Sequence, residues 1–553
     1  MSAVSPIAHA ASFEKENAVK MILERMESDV LAFRDEMERV ASSRCDTATL
    51  TQCSKNNYND CSSTFPNQQC MAADELVVSA CGNGVSCNGE WLHYYVEVQQ
   101  LFLPDQFLSP DQFSLALWDK TQTAVRIPAN LAQGSLGNPT DPQVIESVCY
   151  SHLAEPYMID NYKPDSQMYF GSSHGSFRII PARHSEVCGQ YDPRRRPWFV
   201  AASSGPKDVV LVIDVSGSMD DYARMKMAKE AAITIVDTLT VADRFAIITF
   251  SKKAKQIGGQ GGLMRATSKN KQQMIEAIKD LRAGGATNFY AAFDAAFNAI
   301  DQTIKDEATS GCNVAVLFMT DGQITDGSGE NEVINLVKDR TGKIATKTTI
   351  FTFSIGNQAD HKVTKSIACS TNGIWTPVDD FTDDLVTAMS SYYKLYALGL
   401  GEGDNGDWVA WVEPYEFHTG GKMGFSALAP VHDRSVTPPQ LLGVATIDMY
   451  TDDLEQVLGE DASSSTMLDR FVLLSTARCP SIELTECEIE ALRFLGGGEE
   501  ATCGACNTAE TGYSSILPEN CPFQSDLPNN CWNNTESKLY YFVTGAQHPR
   551  MVW

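Results

Sequence analysis

The string Asp214-Val-Ser216-Gly-Ser218 gathers one carboxylate and two hydroxyls at the end of the apolar run DVVLVID. Two further oxygen-bearing side chains stand in similar settings: Thr287 in AGGATNF, after a glycine pair, and Asp321 in FMTDG, after another apolar run. Donors of this type suit a hard divalent cation, Mg²⁺, Ca²⁺ or Mn²⁺, and not a soft metal. Because only two of the five are carboxylates, a bound cation keeps part of its charge uncompensated and some of its positions on water, so it still seeks an anion. A D-x-S-x-S string alone is a weak signal, since Asp, Ser and Gly are ordinary turn residues. The five donors meet only if the segments carrying them bring three separate loops to one place.

Other strings lead away from catalysis. Gly171-Ser-Ser173-His-Gly175 fits the G-x-S-x-G spacing, but a nucleophile elbow needs a helix after it, and SFRII reads as a strand. Cys503-Gly-Ala-Cys506 has no second pair at zinc-finger spacing, so disulfides to neighbouring cysteines are expected there. Gly258 to Gly262 lacks the Lys and Ser/Thr of a phosphate loop, and the nine histidines show no H-x-x-x-H pair. No nucleophile, base and orienting acid can be assembled from sequence neighbours, so the expectation is a protein that is not an enzyme.

The elements that must position the five donors follow from hydrophobic pattern. Short, wholly apolar runs (DVVLVID, RFAIITF, NVAVLFMTD, TTIFTFSIG) alternate with helical stretches near Tyr222 to Leu239 and Gln272 to Leu281. That alternation predicts a doubly wound parallel sheet covered on both faces, an α/β domain over 207–395, in which ligands bind beyond the carboxyl ends of the strands. Residues 1–44 carry apolar side chains at spacings of three and four from Ala18 to Val40, without Gly or Pro after Phe13, and predict one long amphipathic helix. Residues 45–206 read as cysteine- and turn-rich and then mostly β, with a strand at Trp91 to Phe102. The β texture resumes over 396–475 in DWVAWVEPY, GKMGFSALAPVHD and QLLGVATIDMY, so the α/β domain looks inserted into a β-rich one; 476–553 is a cysteine-rich tail.

Composition narrows the setting. The chain has 553 residues and a formal charge of -27, and phosphate backbones are held mainly by Lys and Arg, so nucleic acid is not expected as a partner. Sixteen cysteines, clustered near both ends among Asn, Ser and Gly, read as a disulfide framework of an oxidising compartment, with Asn533-Asn534-Thr535 as one glycosylation sequon. An extracellular or cell-surface location is therefore expected. Met1 to Ala11 resembles a cleavage site without the apolar segment that should precede it, so a signal segment is expected upstream, and any membrane tether through a partner or a missing segment.

The order of donors and apolar strands resembles the von Willebrand factor A (VWA) family. Its metal-ion-dependent adhesion site (MIDAS) maps onto Asp214, Ser216, Ser218, Thr287 and Asp321, and in the family a partner's Asp or Glu completes the metal shell. Tyr191-Asp-Pro-Arg-Arg-Arg196-Pro-Trp198-Phe199, with Glu413-Pro-Tyr415 and GVATID downstream, resembles the double Cache sensor fold. That resemblance implies that Tyr191 and Arg196 hold the carboxylate of a free amino acid and Asp448 its ammonium, with Trp198 as an apolar wall and Tyr415 as a further aromatic contact. The alternative is a structural corner, Arg194 to Arg196 pairing with local acids and Trp198 filling core. A Cache domain interrupted by a VWA domain, with a long helix in front, resembles the alpha-2/delta auxiliary subunits of voltage-gated calcium channels. The implied function is non-enzymatic, metal-dependent binding of a protein partner, with such a channel as the partner that the resemblance implies; sensing of a small amino acid is the alternative.

Overall fold

The computed structural model describes residues 6–43, 118–119, 123–126, 142–183 except 164–165, and 192–476 except 259–260, 345, 347, 357–358, 381–390, 402–407, 418–422, 435–438 and 459–463, together with 484, 489, 492–493 and 501–503. The cysteine clusters before Cys87, the strand expected at Trp91 to Phe102, the sequon and Tyr191 lie outside the described residues. The chain divides into two compact units, 1–202 with 409–469, and 203–408 with 470–553.

The first unit begins with α1 (Pro6–Ser43), longer than its apolar pattern requires. Val19, Leu23, Met26, Val30, Phe33, Met37 and Val40 form one buried stripe, and each such side chain contributes roughly 1.5–3 kcal/mol by leaving water. Short strands β1 (Trp118–Asp119) and β2 (Ala124–Arg126) follow, then α2 (Pro142–Leu153) and α3 (Glu155–Asn161), β3 (Ser166–Ser172), β4 (Phe177–Ile180), β5 (Ala182–Arg183) and α4 (Pro197–Ser204). α2 and α3 correct the mostly-β expectation for this stretch. β-branched residues in PQVIESV mask the helical spacing, yet Val144, Ser147, Val148 and Ser151 form one buried face. SFRII contains β4, so no elbow forms at Gly171 to Gly175.

The second unit carries the α/β pattern. Its strands are β6 (Lys207–Asp214), β7 (Arg244–Phe250), β8 (Ala254–Ile257), β9 (Met264–Arg265), β10 (Asn313–Thr320), β11 (Thr348–Ile355) and β12 (Ile374–Val378). They lie in the order β12-β11-β10-β6-β7-β8, with β9 against β7; β12 to β7 run parallel and β8 and β9 antiparallel. Helices α5 (Arg224–Thr238), α6 (Ser268–Lys279), α7 (Phe289–Lys305), α8 (Glu330–Lys343), α9 (His361–Cys369) and α10 (Ser391–Gly401) alternate with them. β6, β10 and β11 are buried at every position, as expected of a sheet covered on both sides. Phe318 stacks between Phe250 and Phe293, at centroid distances of 5.3 and 4.6 Å, which fastens α7 to the sheet.

The first unit then resumes after the α/β segment with β13 (Ala410–Glu416), β14 (Met423–Asp433) and β15 (Gln440–Tyr450), followed by α11 (Thr451–Leu458). Its sheet has the order β13-β14-β15-β3-β4-β2, antiparallel throughout, and so joins strands from both sides of the α/β segment. The α1 stripe packs on β14 and β15; Glu27 accepts a hydrogen bond from the indole of Trp411 on β13, and Glu38 one from the backbone of His432 on β14. Among the described residues no helix is long and apolar enough to cross a membrane.

Candidate functional site

Parallel pairing of β6 with β10 matches Met319 to Ile213, so the next residues, Thr320 and Asp214, come side by side at the carboxyl edge. The Thr320 hydroxyl donates to Asp214 Oδ2 at 2.6 Å, and the Ser216 backbone N–H donates to Oδ1 at 2.7 Å. Ser216 Oγ lies 3.2 Å from Ser218 Oγ, which donates to Asp321 Oδ1 at 2.8 Å. Four of the five expected donors thus form one continuous chain.

Thr287 reaches the same place through its backbone. Gly217 N–H donates to Gly285 O (3.0 Å) and Gly284 N–H to Val215 O (2.7 Å), which joins the Thr287 loop to the serine loop. Gly285 has φ +101, open to glycine, and a Cβ there would press on Ser251. On its other side Thr287 O accepts from the backbone N–H groups of Thr325 and Asp326, and Thr287 N–H donates to the Thr325 hydroxyl. A Cβ placed on Gly322 would stand 3.2 Å from Thr287 Oγ1 and 3.7 Å from Ser218 Oγ, so the two hydroxyls face one small volume. Asn288 caps α7 by accepting from Ala291 N–H, which holds Thr287 just outside the first turn.

Electrostatics supports a cation at this point. Asp214 is fully buried, and among the described residues no basic side chain forms a salt bridge with it; its bonds are to a hydroxyl and an amide. Burial pushes its carboxyl up to about 6, and the charge of Asp321 adds to that against the hydrogen bonds from Thr320 and Ser216. A divalent ion would relieve both effects. The donor set, two carboxylates and three hydroxyls, fits Mg²⁺, Ca²⁺ or Mn²⁺.

Sequence reasoning missed the shell around this site. The helix expected from Tyr222 starts at Arg224, because Tyr222 (φ 50) and Ala223 (φ 61) are left-handed. Arg224 is buried and donates to Asp321 Oδ2 at 2.9 Å and, through Nε and Nη2, to both oxygens of Asp380 at 2.7 Å. These bonds hold the guanidinium pKa above its ordinary value, with Asp380 the larger influence. Nothing in the local sequence pairs Arg224 with a loop 156 residues away. Thr320, by contrast, was readable as the neighbour of Asp321 in FMTDG.

In the first unit, Tyr169 connects part of the second residue group. Its hydroxyl donates to Asp448 Oδ1 at 2.9 Å, and its ring meets Trp198 edge-on at 5.0 Å. Ser426 Oγ donates to the same Asp448 oxygen at 2.6 Å, and Tyr415 OH lies 3.0 Å from Ser426 Oγ and 3.3 Å from Tyr169 OH. Trp198, Tyr415 and Asp448 are therefore brought together, through Tyr169 and Ser426, which the sequence reading did not select. Arg196 ends the 3₁₀ turn Pro193–Arg195. Arg194 pairs with Asp192 and Trp198 is buried against Tyr169 and Phe199, both features of the structural-corner alternative.

Residues 208–392 match the family model described as von Willebrand factor type A domain. The alpha-2/delta-2 subunit of the voltage-dependent calcium channel from Mus musculus is 27% identical over 349 residues, 61% of this chain and 29% of that protein. The alpha-2/delta-3 subunit from Rattus norvegicus is 28% identical over 304 residues, 52% of this chain and 27% of that protein. The matched region thus spans less than a third of these relatives. A solved von Willebrand factor type A structure from Catenulispora acidiphila aligns at 16% identity with a TM-score of 0.30, covering 52% of this chain and 66% of its own. The α/β segment of this chain is a VWA domain.

Proposed function

We propose that the VWA domain holds one divalent cation at Asp214, Ser216, Ser218, Thr287 and Asp321, and uses it to grip an Asp or Glu of a protein partner outside the cell. The observation that carries this reading is a fully buried Asp214 carboxylate with no salt-bridged base among the described residues, linked through Ser216 and Ser218 to Asp321. When bound, the cation supplies a positive pole for an anionic donor, which lets a protein of net charge -27 hold an acidic partner. The relatives named as calcium-channel subunits favour a voltage-gated cation channel as that partner, and a non-enzymatic role. The Cys369–Cys503 disulfide favours an extracellular setting. The first-unit sheet, with strands from both sides of the VWA segment, supports reading 45–206 and 396–475 as two parts of one Cache-like domain, between a helix at 1–44 and a cysteine-rich segment at 476–553.

Calorimetric titration of Mn²⁺ into the wild-type chain should give one site. Asp214→Ala with Ser216→Ala should abolish it, together with capture of an immobilised acidic partner; unchanged heat and capture would overturn the proposal.

A second reading is favoured by the buried Asp448, with Tyr169, Ser426 and Tyr415 around it: a small amino-acid sensor in the Cache-like domain. Heat from at least one free amino acid, lost in Arg196→Ala and Asp448→Ala, would support it. No heat across a panel of amino acids would count against sensing.

A further inference from the structure

The metal-site carboxylate Asp321 is divided between two kinds of partner. Oδ1 accepts from Ser218 and faces the hydroxyl donors, whereas Oδ2 accepts from the Arg224 guanidinium. Arg224 cannot swing away, because Asp380 grips Nε and Nη2 with both oxygens and the side chain is 4% exposed. The surrounding backbone makes room for this pair. Gly356, at the end of β11, has φ +88, and a Cβ there would fall within the guanidinium. The left-handed residues Tyr222 and Ala223 set the start of α5, and the Tyr222 ring lies 5.1 Å from Arg224 Cζ while remaining largely exposed.

A structural strut alone explains this poorly, since a buried ion pair is weak support for stability compared with well-packed apolar side chains. Its placement has an electrostatic result. Two carboxylates match a divalent ion only in formal charge, and the guanidinium bonded to Asp321 Oδ2 draws part of that carboxylate's charge away from the hydroxyl side. We propose that Arg224 is a resident counter-cation of the metal site, which fixes Asp321 with Oδ1 toward the hydroxyls and keeps the donor set from neutralising the ion. Completion of the shell then falls to an external carboxylate. Arg224 is a positioning residue, Asp380 sets how much of its charge is felt, and the inference rests on the metal-dependent reading above.

The test is calorimetry of the full chain with Mn²⁺, followed by acetate titrated into the Mn²⁺-loaded protein. Arg224→Gln should bind Mn²⁺ about tenfold more tightly and acetate more weakly, because a positive charge that repels the cation and attracts the anion is gone. Asp380→Asn, which leaves the guanidinium less compensated, should bind Mn²⁺ several-fold more weakly by the same physics. Damage to the fold would weaken both variants; opposite signs from the two halves of one ion pair support the proposal. If Arg224→Gln lacks a cooperative melt, Asp380→Asn decides, and wild-type Mn²⁺ affinity in that variant overturns the inference. So does weaker Mn²⁺ binding in a well-folded Arg224→Gln. A wild-type chain that takes up no Mn²⁺ overturns the metal reading itself and this inference with it, whereas normal wild-type uptake with unmoved variants overturns the inference only.

Discussion

Two buried aspartates show how much one residue's surroundings decide. Asp214 keeps both oxygens occupied by Thr320 and the Ser216 amide. Thr320→Val should leave a buried carboxylate oxygen without its donor, at a cost of about 1–3 kcal/mol by denaturant unfolding, and should weaken Mn²⁺ binding in the same sample. In the first unit, burial pushes the Asp448 carboxyl up to about 8 from 3.8, against the hydrogen bonds of Ser426 and Tyr169. The folded chain therefore holds a proton that the unfolded chain releases between about pH 4 and pH 8. This group's stabilising contribution is complete below that window and is lost as pH rises through it, with a slope of at most about 1.4 kcal/mol per pH unit. Asp448→Asn should flatten the fall in unfolding free energy between pH 5 and pH 8; an identical profile in wild type and variant would refute this assignment.

At the scale of elements, the site is a matter of strand ends and helix starts. β6 and β10 deliver Asp214 and Asp321 to one edge because they are parallel neighbours in register, and α7 fixes Thr287 because Asn288 caps its first turn. Asn288→Ala should cost about 1 kcal/mol through the lost cap, with a weaker Mn²⁺ site as the accompanying readout. Gly356→Ala tests the pocket that admits Arg224. It imposes a left-handed alanine and displaces the guanidinium, so a loss of about 1–3 kcal/mol in denaturant titration is expected. The apolar runs revealed these strands in the sequence because each is buried on both faces. The break at Tyr222 and Ala223 was not visible, since DDYARMKMAKEAA has ordinary helical residues, and the partners of the Arg224 that follows the left-handed turn, Asp321 and Asp380, are far away in the chain.

For the whole molecule, Cys369 and Cys503 form a disulfide across 134 residues and fasten the end of α9 to the last described segment. Disulfides between near neighbours were expected at Cys503 from the crowding of cysteines around it, but sequence spacing cannot rank pairings that depend on where distant segments meet. Closing so long a loop restricts the unfolded chain, and Cys369→Ser with Cys503→Ser should lower stability by about 3–5 kcal/mol, measured by denaturant titration against the oxidised wild type. The sequence by itself determined the α/β alternation, the amphipathic helix at the start and the five oxygen-bearing side chains to which the proposal assigns the cation, because local pattern and side-chain chemistry are written residue by residue. Tertiary structure alone decided that Arg224 and Asp380 stand behind Asp321, that Tyr169 and Ser426 enclose Asp448, and that Cys503 pairs with Cys369. Each of these joins residues far apart in the chain, and a contact of that kind exists only once the sheets and helices have fixed the distance between them.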